Sequence, residues 1–254
     1  MPASNAGPER IDPVHHTAAY ELVVDQIRRV IYLGRFLPGE KLPPERELAQ
    51  QLGVSRTTVR EAIRLLEGEK LITVKRGATG GIIVSSPNKK TATEKRNILA
   101  AHAQELQDIF EYRLAIECYT VRRAAERRTQ QDIDYLTSMM SLMEQIAVLI
   151  DEGKSSVAEY SAADTRFHIG IATASKNARL EVAIEEIRAA MFLPVGSIFE
   201  KLTDKINEHH RPIVESIVAQ DPDEAERNMR EHIQLGFDGL KSFLGKNARA
   251  NKSR

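Results

Sequence analysis

The chain has 254 residues with 36 Lys/Arg against 36 Asp/Glu, no tryptophan and one cysteine, Cys118. A lone cysteine excludes a disulfide framework and a thiolate metal cluster and fits a reducing compartment. With 42% apolar residues the length allows two cores, no uninterrupted apolar run approaches the roughly 20 residues that span a bilayer, and the N-terminus lacks the pattern of a signal peptide. A cytoplasmic protein with no membrane partner is expected. Residues 1–90 carry 14 Lys/Arg against 10 Asp/Glu and the remainder 22 against 26, which suits a nucleic-acid reader joined to a part that does not touch nucleic acid.

Residues 1–16 hold three prolines and few large apolar groups, and read as a disordered arm in which His15 and His16 are exposed. From Thr17, the positions Val23, Ile27, Val30 and Ile31 make one helical stripe that ends near Gly34. Pro43-Pro44 bars an earlier helix, so ERELAQQL starts there and buries Leu48, Ala49 and Leu52 until Gly53 stops it. Ser55 then caps a second helix, whose Val59, Ile63 and Leu66 turn inward while Arg56, Thr57, Arg60 and Arg64 face out. Two β-branched runs, Ile72 to Val74 and Ile82 to Val84, flank a turn with Lys75, Arg76, Gly77, Gly80 and Gly81. This is the grammar of a winged helix-turn-helix over residues 17–84. In such a unit the second helix enters the major groove, where Arg56, Thr57 and Arg60 would meet bases or phosphates.

The stretch PPERELAQQLGVSRTTVREAIRLLEGEKLITVKRGATGGIIV resembles the DNA-binding domain of the GntR family of bacterial transcription regulators through the wing. The resemblance implies double-stranded operator DNA as partner, with Arg46, Ser55, Arg56, Thr57, Thr58, Arg60, Arg76 and Gly77 as the contact positions.

Residues 85–96 are polar and read as a linker. Beyond it, a composition rich in Ala, Leu, Ile, Glu and Arg favours helices, expected over 97–103, 105–127, 130–152, 155–175, 178–193, 197–219 and 222–245, packed as an antiparallel bundle. The fold class is therefore mainly α, an N-terminal winged domain followed by an all-α domain over 97–245 and a polar tail over 246–254. Asp221, Pro222 and Glu224 predict a capping box at the last helix. Pro194 is expected to break its segment, and Pro212 to kink the helix around it or mark a local irregularity.

Four polar residues of this second part stand where helical stripes want apolar ones. Asp164 and His168 share a face with Tyr160 and Ile171. His210 lies in the seam Ile206, Ile213, Ile217, and His232 in the seam Ala225, Met229, Gly236. Counted from the turn at 220–221, the two histidines stand level across an antiparallel pair, about 15 Å along each helix. One inward histidine is usually a hydrogen-bonded core residue. An unpaired aspartate among three of them is costly to bury without a cation, which points to a divalent metal such as Zn²⁺, Ni²⁺ or Mn²⁺. His209 competes with His210 but misses the seam by a third of a turn.

The segments DIFEYRLAIECYTVRRAAERRT, DTRFHIGIATASKN and HHRPIVESIVAQDPDEAERNMREHI resemble the FCD effector-binding domain of the FadR subfamily of GntR regulators. The resemblance implies a metal held by Asp164, His168, His210 and His232, and a small carboxylate metabolite as effector, with Arg113 beside it. A surface i,i+4 pair with Glu117 is the alternative for Arg113, but Arg113 shares an inner face with Ile109, Ile116 and Thr120, which favours the effector role. The expected protein is a homodimeric, ligand-responsive repressor of a metabolic operon and not an enzyme. Two rivals are a metal-dependent enzyme domain fused to a DNA-binding module, disfavoured because Glu185, Glu186 and Glu208 read as solvated helix faces, and a constitutive DNA-binding dimer without effector.

Overall fold

The structure, a computed structural model, describes residues 18–77, 80–86, 92–195 and 209–245. The expected arm (1–16), the polar tail (246–254), Ile206, Glu208 and most of the first half of the helix expected over 197–219 lie outside the described residues.

The N-terminal unit opens with α1 (Ala19–Tyr32), whose Val23, Val24, Ile27 and Ile31 are buried. It packs on α3. Pro44 is the N-cap of α2 (Glu45–Leu52), where its missing N–H costs nothing. Gly53 ends α2 at φ 66°, a left-handed conformation that lets the chain reverse sharply. Ser55 then caps α3 (Arg56–Gly68) by accepting from the Thr58 amide at 3.1 Å. The buried stripe of α3 is Val59, Ala62, Ile63 and Leu66. After it, β1 (Ile72–Lys75) and β2 (Gly81–Val84) pair antiparallel, Ile72 opposite Val84 and Lys75 opposite Gly81. The segment before α2 adds a short third edge to this wing, with Leu42 N donating to Ile82 O at 2.8 Å and Val84 N to Glu40 O at 2.9 Å.

The second unit is all helical: α4 (Ala92–Ala101), α5 (Ala103–Arg127), α6 (Gln130–Asp151), α7 (Val157–Ala174), α8 (Ala178–Val195), α9 (His210–Val218) and α10 (Pro222–Gly245). Capping boxes start α6 at Thr129 with Asp132 and α7 at Ser156 with Glu159. Helix α5 is the axis of the unit, packed against α7, α8, α9 and α10. Its Leu106, Phe110, Val121 and Ala124 join Leu136, Met143, Phe167, Ile213 and Ile233 in one apolar core.

Several expectations need correction. Helix α4 begins inside the expected 85–96 linker, because Ala, Glu, Lys and Arg there are good helix formers. Helix α8 continues through Pro194 to Val195 instead of breaking before it. Pro212 lies in the first turn of α9, where no amide needs an intrahelical partner, so it does not kink the described helix. At α10 the Glu224 amide donates to Asp221 Oδ1 at 2.9 Å, but the Glu224 carboxylate pairs with Arg227 instead of closing the box. Helix α6 is by length and composition apolar enough to cross a membrane, mean hydropathy 1.2, which the run-length criterion missed because polar residues interrupt it. Its Leu136, Met140, Met143 and Ile146 are buried in the helical core.

A Cβ at Gly53 would meet nothing within 4 Å, so the left-handed backbone alone sets the effect of a side chain there. Gly53→Ala is expected to lower the stability of the winged unit by about 1 kcal/mol, and Gly53→Asn by less. Urea unfolding of the two variants checks this.

Candidate functional site

On the winged unit the outward face of α3 is bare. Arg46, Ser55, Arg56, Thr57, Arg60, Arg76 and Gly77 are all exposed and Thr58 is half-buried. The hydroxyls of Ser55 and Thr58 are 2.9 Å apart and already serve the cap, so their first role is to hold the start of α3. Arg60 is not a free cation: its guanidinium lies 2.9 Å from Glu45 on α2. That contact ties the two helices of the motif together and holds the arginine across the turn. The Gly77 backbone sits at φ 104°, in the wing beside Arg76.

In the helical unit Asp164, His168, His210 and His232 come together, and one ligand atom from each lies within 4.8 Å of the others. Three helices supply them, α7, α9 and α10. The inward turn of each follows from its seam: Ile213 and Ile217 are fully buried beside His210, and Ala225 and Met229 beside His232. The His210 and His232 rings are 4.6 Å apart, as their equal distance from the turn requires. His168, His210 and His232 are all under 5% exposed, and Phe167 closes one side with its ring edge-on to His168 and His210. His209 is the N-cap of α9 and lies outside the group.

Two further charges meet this group. Arg188 of α8, 7% exposed, pairs with Asp164 Oδ2. Glu117 of α5 lies 2.6 Å from His168 Nδ1 and also 2.6 Å from Arg113 Nε. The Arg113 side chain is 4% exposed, so the surface-pair reading is wrong: the i,i+4 pair exists, but it is buried beside the histidines. Sequence reasoning missed Arg188 and the inward role of Glu117. The signal was available, since Leu106, Phe110, Arg113, Glu117, Val121 and Ala124 form one stripe, and Ile184, Arg188 and Met191 another.

The electrostatics follow from these contacts. Burial works against ionising Asp164, yet Arg188 and the histidines outweigh it and hold the carboxyl well below the usual range. Glu117 is held down in the same way by Arg113 and His168. Burial pushes His210 and His232 down, keeping both neutral at pH 7. Asp164 is thus not unpaired, and the argument that it needs a metal to be buried fails. What remains is nitrogen: His168 Nε2, His210 Nδ1 and His232 Nδ1 are buried without a hydrogen-bond partner, His168 Nδ1 lies 2.6 Å from Glu117 without a well-formed hydrogen bond, and His210 Nε2 meets Asp164 Oδ1 at 3.0 Å. Imidazole nitrogens from three histidines and one carboxylate are a fitting donor set for a borderline divalent ion. Cys118 takes no part, being buried with its thiol pushed up to about 11 by that burial.

Comparison with known proteins agrees with this architecture. A model of bacterial regulatory proteins of the gntR family matches residues 19–82, and one of the FCD domain matches residues 108–235. The "Putative L-lactate dehydrogenase operon regulatory protein" of Escherichia coli (strain K12) is 31% identical over 238 residues, 87% of this chain and 86% of that protein. The Glc operon transcriptional activator of the same organism is 27% identical over 84% of this chain and 85% of its own length. The solved structure of E. coli McbR/YncC shares the fold at TM-score 0.52 and 21% identity, over 89% of this chain and 99% of that one. Its two halves, a helix-turn-helix with a wing and a helical domain matched by the FCD model, make this chain a member of the GntR family, a DNA-binding transcriptional regulator with an FCD effector domain.

Proposed function

We propose that this protein is a homodimeric repressor of FadR type that occupies the operator of a metabolic operon in the cytoplasm and answers to a small carboxylate through a metal-assisted site. The observation that carries the effector half is the group of Asp164, His168, His210 and His232, in which all three histidines keep buried nitrogens without hydrogen-bond partners. Buried polar atoms are nearly always satisfied, so their exceptions call for a ligand. Asp164, His168, His210 and His232 would hold the ion, Zn²⁺, Ni²⁺ or Mn²⁺. Such an ion supplies a Lewis-acidic anchor for a carboxylate oxygen.

Charge supports an anionic effector. Asp164 and Glu117 are already balanced by Arg188 and Arg113, so two added positive charges leave an excess that an anion relieves. Arg113 and Arg188 stand on two sides of the group as cations for the effector's carboxylate. The name of the E. coli relative, which couples such a regulator to L-lactate dehydrogenase, supports a small hydroxycarboxylate as the class. Dimerisation supports operator reading, because one winged unit spans few base pairs and a two-fold pair reads two half-sites. Glu117 would orient His168 through its Nδ1, the role that a carboxylate commonly plays behind a metal-bound histidine.

For DNA, Arg56→Ala and Arg60→Ala are each expected to weaken binding to an operator selected from random-sequence DNA by about 5- to 150-fold and to flatten preference at one base position. Unchanged affinity in both variants removes the proposed face. For the metal, protein purified without chelator and supplied with Zn²⁺ is expected to hold about one ion per chain, and EDTA to lower its melting temperature. His210→Ala and His232→Ala should abolish that difference, and His209→Ala should keep it. Absence of stoichiometric metal after reconstitution with Zn²⁺, Ni²⁺ and Mn²⁺ defeats this part of the reading. Glu117→Gln should weaken Zn²⁺ about 10- to 100-fold while the four ligands stay in place, as competition with a fluorescent chelator would measure.

A further inference from the structure

The C-terminal end of α1 and the turn after it lie against α7 and α8. Glu185 of α8 reaches two arginines of the winged unit, Arg29 at 2.6 Å and Arg35 at 3.0 Å. Its side chain is 19% exposed, so it is not the solvated helix face that its spacing suggested. On α7, Arg166 donates to the Gly34 carbonyl at 3.0 Å. Gly34 has φ 64°, and a Cβ there would fall 2.4 Å from the Ala162 Cβ. Glycine is required at this position both by the backbone and by the closeness of α7.

Helix α7 also bears half of the ligand group, and α8 the arginine that pairs with it. On α7, Ala162 and Arg166 are one turn apart and face the winged unit, while Asp164 and His168 are one turn apart on the opposite side. On α8, Glu185 stands three residues before Arg188, the partner of Asp164. Asp164 already spends both oxygens inside the protein, one on Arg188 and one on His210. A ligand that engages Asp164 therefore alters the pair that ties α7 to α8, one turn from the contacts with α1. A closely packed helix transmits such a shift to its far face as a body.

We propose that the clasp of Glu185 on Arg29 and Arg35, with the seat of Gly34 on α7, is an interdomain latch by which occupancy of the buried group sets the orientation of the winged unit. This rests on the effector reading above for what occupies the group, though not for the latch itself. The latch is weak enough to work. Partly exposed ion pairs contribute little each, and an effector coupling of about 5- to 150-fold is enough to shift such an equilibrium.

Hydrogen–deuterium exchange on the full-length protein, read by mass spectrometry, tests it. The segment 29–35 is the reporter, through the amides of Leu33, Gly34 and Arg35, which donate to Arg29, Ile31 and Val30. In metal-free protein, Glu185→Gln and Gly34→Ala are each expected to raise exchange there by about 5-fold, with α3 and α5 unchanged as the folding control. Asp164→Asn, on the opposite side of α7 from that segment, should raise it as well, which is the coupling. The charge swap Glu185→Arg with Arg35→Glu should restore protection. Exchange at 29–35 unmoved by Glu185→Gln, or unmoved by Asp164→Asn, overturns the latch. Zn²⁺ alone, followed by calorimetry, keeps the two readings apart: no binding sinks the metal and leaves the metal-free variants to judge the latch, and binding that leaves exchange at 29–35 unchanged overturns the latch and leaves the metal.

Discussion

The carboxylate of Asp164, only 16% exposed, lies at the junction of α7, α8 and α9, and the helical unit is arranged around the need to compensate it. Arg188 and His210 bind its two oxygens, and His168 Nε2 lies 3.6 Å away. A second carboxylate, Glu117, does the same work for Arg113 and His168. Removing one member of such a set strands a charge in an apolar interior, which costs several kcal/mol, about 3–5 for a broken buried pair. The helices that supply these residues are thereby held to one register, with Phe167, Ile213 and Ile233 filling the space around them.

This compensation changes the meaning of the three histidines. Because the arginines already neutralise the carboxylates, the histidines are not needed as cations, and burial keeps His210 and His232 neutral. Neutral imidazoles with idle nitrogens are poor core residues and good ligands.

The winged unit is built the other way round. Its interior is apolar, with Val59, Ala62, Ile63 and Leu66 of α3 set on Val23, Val24 and Ile27 of α1, and Arg56, Arg60 and Arg76 lie on its surface. Helix α1 packs directly on α3, so the two belong to one packed unit. The polar and sparse contact between α1 and α7/α8 is consistent with two bodies that can change their relation, as interfaces between domains of one chain commonly are.

Local order was written plainly in the residues. The Ser55 cap, the Gly53 stop, the β-branched pair of strands and the inward seams of His210 and His232 each depend on neighbours within a turn or two, so spacing alone found them. The same holds for α6 and α7, whose ends agree with expectation to within two residues. The start of α4, the run of α8 through Pro194 and the place of Pro212 were misread because helix ends are decided by small differences among capping, propensity and packing. What the chain could not disclose by itself was every relation between elements distant in sequence. Arg188 reaches Asp164 across 24 positions, Glu185 reaches Arg29 across 156, and Arg60 reaches Glu45 across a turn. A charge on a helix reads as solvated until the neighbouring helix is known, because its burial is decided by what packs over it. Periodicity determined which side chains turn inward; only the packing of α5, α7, α8, α9 and α10 decided which of them meet.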